Sequence, residues 1–463
     1  MTTAPPPLPK ALPRCLGTLG MLFLTLSAIS PASSVFIIVP GMLQGAGTGA
    51  LWAMAIAGLV CLATAYVYAE LSSAFPIAGG EYVMVARTLG PLPGFVMLVI
   101  NVFNNMLFPP VVGLGVSAVL AHVIPGLPVV PIAIVVVAGA TLCGLLNIRV
   151  NALVTGLFLV IELAALGLVT ALGLIHPAQG LLPMLAHPVL PSLQPATMPA
   201  TGTATTIGIF ALNGYGMAVY FGEEMHDAST RIARVVMLSF AAAFLFELGP
   251  TIAALIGTPD LARTLSATDP FGDFVASWGG GLIAALMAVG VAIAILNAAI
   301  VTVLGSARFL YSTGRDRVWG GPVDRWIAAV HPRWHSPWVA TLVNGALGIG
   351  CCFIKLNFLL ILSGGGLLVT YCAISLGALA GRRTGSTNHG PYRMPLFPIA
   401  PILTLVALAY VAWTNWLDVD EGRPGLIATA AQIVAAILYY TLVLRRRGAW
   451  IVHDPAVETA ERL

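Results

Sequence analysis

Charge is what this chain has least of. Asp, Glu, Lys and Arg together make up 8% of its 463 residues, where soluble domains carry roughly a quarter. With 58% hydrophobic residues and a mean hydropathy of +0.94, that shortage excludes an ordinary soluble domain. The net charge of +3 gives no basic patch for nucleic acid. Cysteine is scarce as chemistry too: Cys15, Cys61, Cys143, Cys351, Cys352 and Cys372 lie in or beside apolar stretches and form no C-x-x-C pair or extracellular framework. They read as small buried apolar residues. No P-loop, nucleophile elbow or catalytic His/Asp/Glu constellation occurs. His331 and His335 are four apart, but Pro332 intervenes and no third ligand is near. The sequence therefore calls for no metal, no cofactor and no enzyme site. It also lacks a carbonyl filter motif and continuous polar pore helices, which argues against a channel.

What it has is long apolar runs. A membrane span needs roughly 20 mostly apolar residues, and twelve stretches qualify: about 17–43, 49–75, 94–123, 128–146, 152–175, 204–222, 235–257, 278–312, 337–355, 357–380, 396–417 and 425–444. The eighth exceeds one crossing and is expected to tilt or to project beyond the bilayer. With the N-terminus inside, only Arg263, Lys355 and Arg423 of the 21 basic residues fall outside. That bias fixes both termini as cytoplasmic in a multi-pass protein of the cytoplasmic (inner or plasma) membrane. The apolar stretch Met21–Leu26 continues through Ile37-Ile38-Val39, past any short cleavable core, so the first span reads as a retained anchor.

Two of these spans are interrupted. The first breaks at Ser30-Pro31-Ala32-Ser33-Ser34 and the sixth at Asn213-Gly214-Tyr215-Gly216. In hydrocarbon a broken helix is tolerated only where the freed backbone is buried in protein or lines a cavity. Paired breaks at corresponding places in two halves are the best sequence-level pointer to a transporter's substrate site. Pro31 removes a donor and disfavours helix at Ser30. The amides that follow suit an anionic group. At the second break Gly214 and Gly216 admit close approach of a ligand to backbone whose carbonyls suit an ammonium group. Each half places a broken span first, then a continuous span, then an amphipathic connection (76–93 inside, 257–277 outside). Five spans is an odd number, so the second repeat enters upside down. The fold class is thus an all-α integral membrane protein of twelve helices. It divides into a cytoplasmic tail (1–16), a first inverted repeat (17–175), a second (204–380), two appended spans (396–444) and a second cytoplasmic tail (445–463).

The stretch Glu70-Leu71-Ser72-Ser73-Ala74-Phe75-Pro76-Ile77-Ala78-Gly79-Gly80-Glu81-Tyr82 resembles the EL…P-x-A-G-G-x-Y signature of the amino acid–polyamine–organocation superfamily. Phe210–Arg234, with Glu223-Glu224 and Arg231, resembles its sixth span and following loop. Ser306–Tyr311, followed by Arg315-Asp316, resembles its eighth-span exit. The resemblance covers roughly residues 14–445. It implies a five-plus-five inverted-repeat permease with broken helices 1 and 6. It also implies that Ala32, Ser33 and Ser34 receive a substrate carboxylate, that Asn213, Gly214 and Gly216 receive its amine, and that Phe210 is a gating aromatic; Ser30, at the same break, is a further substrate-binding candidate. The sequence departs from the family at Ala32-Ser33-Ser34, where G-S-G is common, and at Gly216, where many members are acidic.

Ionisable groups inside spans are functional candidates by default. Glu162 in the fifth span and Glu247 in the seventh are coupling candidates, Glu162 preferred because its span belongs to the moving core in this fold. Asn297 is a candidate on the eighth span, which faces the first break in this fold. Asn101, Asn104 and Asn105 cluster in the third span, the first and last on one face. Glu70 and Glu81 with Arg87, and Glu223, Glu224 and Asp227 with Arg231 and Arg234, are candidates for a cytoplasmic gate of ion pairs.

The expectation is a secondary transporter that moves a small amino acid by alternating access, with Glu162 the hypothesised site of proton coupling and uniport and exchange left open. The alternatives are an amine or polyamine carrier or exchanger, of ethanolamine or putrescine type, and a transporter-like nutrient sensor without flux. The partners expected are that small molecule and the lipid bilayer; the sequence leaves homo-oligomerisation open.

Overall fold

The computed structural model describes residues 12, 14–123, 126–419, 422–448, 450 and 452. Most of both expected tails, 1–16 and 445–463, lies outside them. Among the described residues the regular elements are all helical, with isolated bridges such as Leu16 to Met225.

Helix α1 (Thr18–Ile29) ends at Ser30, whose φ of 49° lies in the left-handed region. Pro31 explains the stop, because its ring disfavours helical geometry in the residue before it. A turn at Pro31–Ser33, a π-helical turn at Ser34–Ile38 and α2 (Val39–Ala46) follow. Pro40 has no N–H to offer the Phe36 carbonyl, which loosens the same turn. Next come α3 (Ala50–Ala74), α4 (Glu81–Leu89), α5 (Pro91–Val123), α6 (Val129–Gly144) and α7 (Ile148–Ile175). The turn into α4 uses Gly79 and Gly80, both at positive φ.

Helix α8 (Met198–Ala211) opens on Thr197, whose hydroxyl accepts the Ala200 N–H. It stops before Gly214 (φ 119°), and the chain continues as a 3-10 helix, Tyr215–Glu224. Then follow α9 (Ala228–Gly257), α10 (Pro270–Arg315, non-helical at Gly280), α11 (Trp338–Cys351), α12 (Leu356–Thr384), α13 (Ile399–Leu417) and α14 (Gly422–Tyr439).

Helix α1 is wrapped by α7, α9 and α10, so its Met21 and Leu24 are fully buried. Helix α3 packs on α8 and α9, and α5 on α6, α10 and α12. Helix α13 packs on α3 and α12 and α14 on α5 and α12, leaving Ile402, Val406 and Val434 exposed. Apolar side chains facing outward are what a lipid surface requires.

Among the described residues, eight helical stretches are long and apolar enough to cross a membrane. They do not map one to one on the twelve expected spans. Segments 17–43 and 49–75 run together as Thr18–Ala74. Helices α6 and α11 are apolar but have 16 and 14 residues, and the segment expected at 204–222 is divided between α8 and the 3-10 helix.

Candidate binding cavity

The end of α1 and the end of α8 meet. The Ser34 hydroxyl donates to the Ala211 carbonyl at 2.9 Å, and a Cβ on Gly214 would stand 3.0 Å from the Ile29 Cα. Beside this contact lies a cavity of about 680 Å³, lined by Ser30, Ser33, Ser34, Phe210, Asn213, Gly214 and Gly216 among others. Backbone that has left the helix at Ser30 and at Gly214 is therefore brought to one space. The Asn213 side-chain oxygen accepts the Tyr371 hydroxyl at 2.7 Å. Gly216 makes room for Tyr68, since a Cβ there would come within 2.7 Å of the Tyr68 ring.

Four expected residues stand elsewhere. Ala32 is fully buried, outside the cavity lining, and its N–H donates to Glu162 Oε1 at 2.9 Å. Glu162, also fully buried, accepts the Ser30 hydroxyl at 3.1 Å through the same oxygen, while its Oε2 has no partner among the described residues. A protein carboxylate thus fills the amide position assigned to substrate. Asn297 does not reach the cavity either, because its amide turns to the Thr155 carbonyl on α7 at 3.2 Å. Glu247 is fully buried, and neither of its oxygens has a hydrogen-bond partner among the described residues.

Asn101, Asn104 and Asn105 line the cavity together. Sequence reasoning missed Tyr68, Tyr220, Thr302 and Ser306, which also line it, and it misplaced Glu81. The sequence alone groups that residue with Arg87. Instead Glu81 lines the cavity and accepts the Tyr68 hydroxyl and the Asn101 amide, each at 2.9 Å. Burial pushes its carboxyl above the usual carboxylate range, against the opposing pull of hydrogen bonds from Tyr220, Tyr68 and Asn101. The nearest signal was the resembling motif itself, which fixes the Gly79-Gly80 turn that aims residue 81 inward.

One end of the cavity is closed off by the buried residues Glu81, Tyr68 and Tyr220, and beyond it lie ion pairs with partners that differ from those expected. Glu224 pairs with Arg308, both 1% exposed; Glu223 pairs with Arg315, which also bonds Asp316 at 2.9 Å; Glu70 pairs with Arg382 at 2.6 Å. Asp227 does pair with Arg231, at 3.0 Å, but both are exposed. The Tyr82 hydroxyl, next in sequence to Glu81, donates to Asp316 at 2.7 Å, so Glu81 marks the sealed end. Away from it the lining reaches Leu356, Asn415, Asp418 and Gly422, at or beside the ends of α12, α13 and α14. No Lys, Arg or His lines the cavity among the described residues.

Comparison with known proteins places this geometry in context. A family model described as amino acid permease matches residues 16–443. An uncharacterized transporter of Mycobacterium tuberculosis is 28% identical over 349 residues, 74% of each chain. A chloroplastic cationic amino acid transporter of Arabidopsis thaliana is 27% identical over 350 residues, 70% of this chain and 58% of that one. A low-affinity putrescine importer of Escherichia coli is 22% identical over 338 residues, 71% of this chain and 72% of the importer.

Proposed function

Because this chain belongs to the amino acid permease family, we propose that it is a secondary active transporter that moves a small amino acid across a membrane by alternating access. It is a transporter and not an enzyme, as its relatives are. The observation that carries the substrate reading is one cavity lined from both interruptions, by Ser30, Ser33 and Ser34 of the first and Asn213, Gly214 and Gly216 of the second. In the proposed fold, Thr18–Ala74 holds two spans, α6 and α11 are short spans, and α8 with the 3-10 helix is a broken sixth. This restores twelve spans and a five-plus-five inverted repeat. The basic residues put both termini, and with them the ion pairs at the sealed end, on the cytoplasmic side. The cavity is then outward-facing, and rocking requires those pairs to part.

Glu162 supplies the coupling. A carboxylate on the Ala32 N–H competes with a substrate carboxylate for the same amide. Protonation of Glu162 removes that competition, so substrate and proton enter together. Glu247, buried close by on α9, is the second candidate on this path.

One observation favours a second reading, an amine or polyamine carrier. With Glu162 seated on Ala32, an amine without a carboxylate needs no displacement. The relative named for putrescine fits such a reading.

The test is a thermal-shift screen of the detergent-purified protein against the amino acids, ethanolamine and putrescine, followed by uptake into proteoliposomes. A ligand that binds only the folded state raises the melting temperature by mass action. Stabilisation and uptake of an amino acid, both lost in Ser33→Trp, are expected. Stabilisation by amines alone overturns the carboxylate site. Binding without flux identifies a sensor.

A further inference from the structure

Glu81 carries an acid with no counter-ion into the cavity. Among the described residues no cationic side chain pairs with it. Arg308, Arg315 and Arg382, at the same end, are each held by another carboxylate, and Arg87 of its own helix donates to the Val452 carbonyl. The partners of Glu81 are neutral: the Tyr68 hydroxyl and the Asn101 amide, with Tyr220 beside them. None of these donors brings a charge to set against the carboxylate.

The surroundings suit a cation. Tyr68 and Tyr220 line the same stretch of wall, and aromatic faces attract ammonium and guanidinium groups. An ammonium brings three donors and no acceptor, and Glu81 with the side-chain oxygens of Asn101 and Asn105 offers acceptors. Glu81 also stands within a substrate's length of the second break. Tyr371 bonds Asn213 at 2.7 Å, its ring meets the Tyr68 ring at 6.1 Å, and Tyr68 bonds Glu81.

We propose that Glu81, with Tyr68 and Asn101, forms a cation subsite at the sealed end of the cavity, which takes the distal ammonium or guanidinium of an elongated substrate. The subsite rests on the transport reading above and deepens it. It names the substrate as a cationic amino acid or a diamine, whose shared chemistry is a charged group on a flexible alkyl chain.

The experiment measures binding and proteoliposome uptake of lysine, norleucine, putrescine and alanine by the full chain. Norleucine matches the lysine chain without its charge. Lysine should bind about tenfold or more tighter than norleucine, the scale of one charged hydrogen bond. Glu81→Gln should abolish that ratio and Glu81→Asp should keep part of it. Putrescine binding alongside lysine identifies a diamine site; lysine alone shows that the α-amino acid end is needed as well.

Equal affinity for lysine and norleucine, with alanine transported, sinks the subsite and leaves the transport reading standing. A lysine preference that survives Glu81→Gln also sinks it, as does loss of proton-driven alanine uptake in that variant with selectivity unchanged, which makes Glu81 a proton carrier. No binding or uptake of any compound overturns both. The lysine–norleucine comparison uses the native protein, so it decides the matter even where Glu81→Gln does not fold.

Discussion

The backbone N–H of Ala32 donates to Oε1 of Glu162 at 2.9 Å, across 130 residues of sequence. A carboxylate of the chain itself occupies the amide just after the α1 break. Free amides at a helix start favour an anion, and here a carboxyl group of the protein already stands at the amide. Substrate binding at this point is then an exchange of one carboxylate for another, or a response to the protonation of Glu162.

Replacing Glu162 with Gln separates these roles. Glutamine keeps an acceptor oxygen for the Ala32 N–H and the Ser30 hydroxyl, so the fold should survive. It cannot take up and release a proton. Accumulation driven by a pH gradient across proteoliposomes should vanish, while exchange of labelled for unlabelled substrate at equal pH continues. Gradient-driven accumulation at the wild-type level in Glu162→Gln would falsify coupling through this residue.

The Arg308–Glu224 pair should behave as a buried charge pair. Both side chains are 1% exposed, and the guanidinium meets the carboxylate with two nitrogens. The Glu224 carbonyl also accepts the N–H groups of Cys15 and Leu16 at 2.8 and 2.9 Å, so the chain entering α1 is tied to the same spot. Removing one partner of a buried pair costs about 3–5 kcal/mol. Arg308→Ala should therefore lower the denaturation midpoint strongly, and Arg308→Met combined with Glu224→Gln should recover most of the loss. A single-variant cost below about 1 kcal/mol, the range of exposed pairs, would rule out a buried lock.

Local chemistry was legible in the sequence and distant pairing was not. Pro31 acts on its neighbour Ser30, and Gly214 supplies its own positive φ, so both segments could be marked without knowing the fold. The i,i+4 spacing of Asn101 and Asn105 likewise put both on one face, and both line the cavity. The sequence alone groups Glu81 with Arg87, because the two are close together on a short helix. Its actual partner Asn101 lies on a different helix, and the ion pairs that release it from Arg308 and Arg315 span 84 and 92 residues. Asn297 was assigned from the face its helix turns to the first break, but a carbonyl of α7 takes its amide.

The two glycines of the second segment should fail differently. Gly214 sits at φ 119°, and an added Cβ would meet Ile29 at 2.9 to 3.0 Å. Gly214→Ala combines backbone strain with a clash and should cost about 1–3 kcal/mol, read as a lower melting temperature. Gly216 has no such φ; the nearest atoms to its added Cβ belong to the Tyr68 side chain, at 2.7 to 3.0 Å. Gly216→Ala should displace that ring and break the hydroxyl bond to Glu81, reducing substrate affinity more than stability. Ligand titration beside melting curves tells the two apart. Equal stability losses with unchanged affinity would show that Tyr68 does not position Glu81.

The pH dependence of cation binding follows from the environment of Glu81. Burial raises its carboxyl in the folded protein above the usual carboxylate range, and the hydrogen bonds from Tyr220, Tyr68 and Asn101 only partly offset this. In the unfolded chain the group ionises at the ordinary value. Without ligand its contribution to stability is complete below that ordinary value and is lost as pH rises through the raised one. A bound ammonium reverses the preference, because it favours the carboxylate. Lysine affinity should therefore climb as pH rises towards the raised value of the ligand-free protein and level off above it. Between the ordinary and the raised value ligand-free stability should fall. The tyrosines and asparagine facing Glu81 remain neutral there, so the difference between wild type and Glu81→Gln isolates this one group. In Glu81→Gln the climb should flatten. A lysine affinity independent of pH in the wild type, or a climb that persists in the variant, would place the titrating group elsewhere.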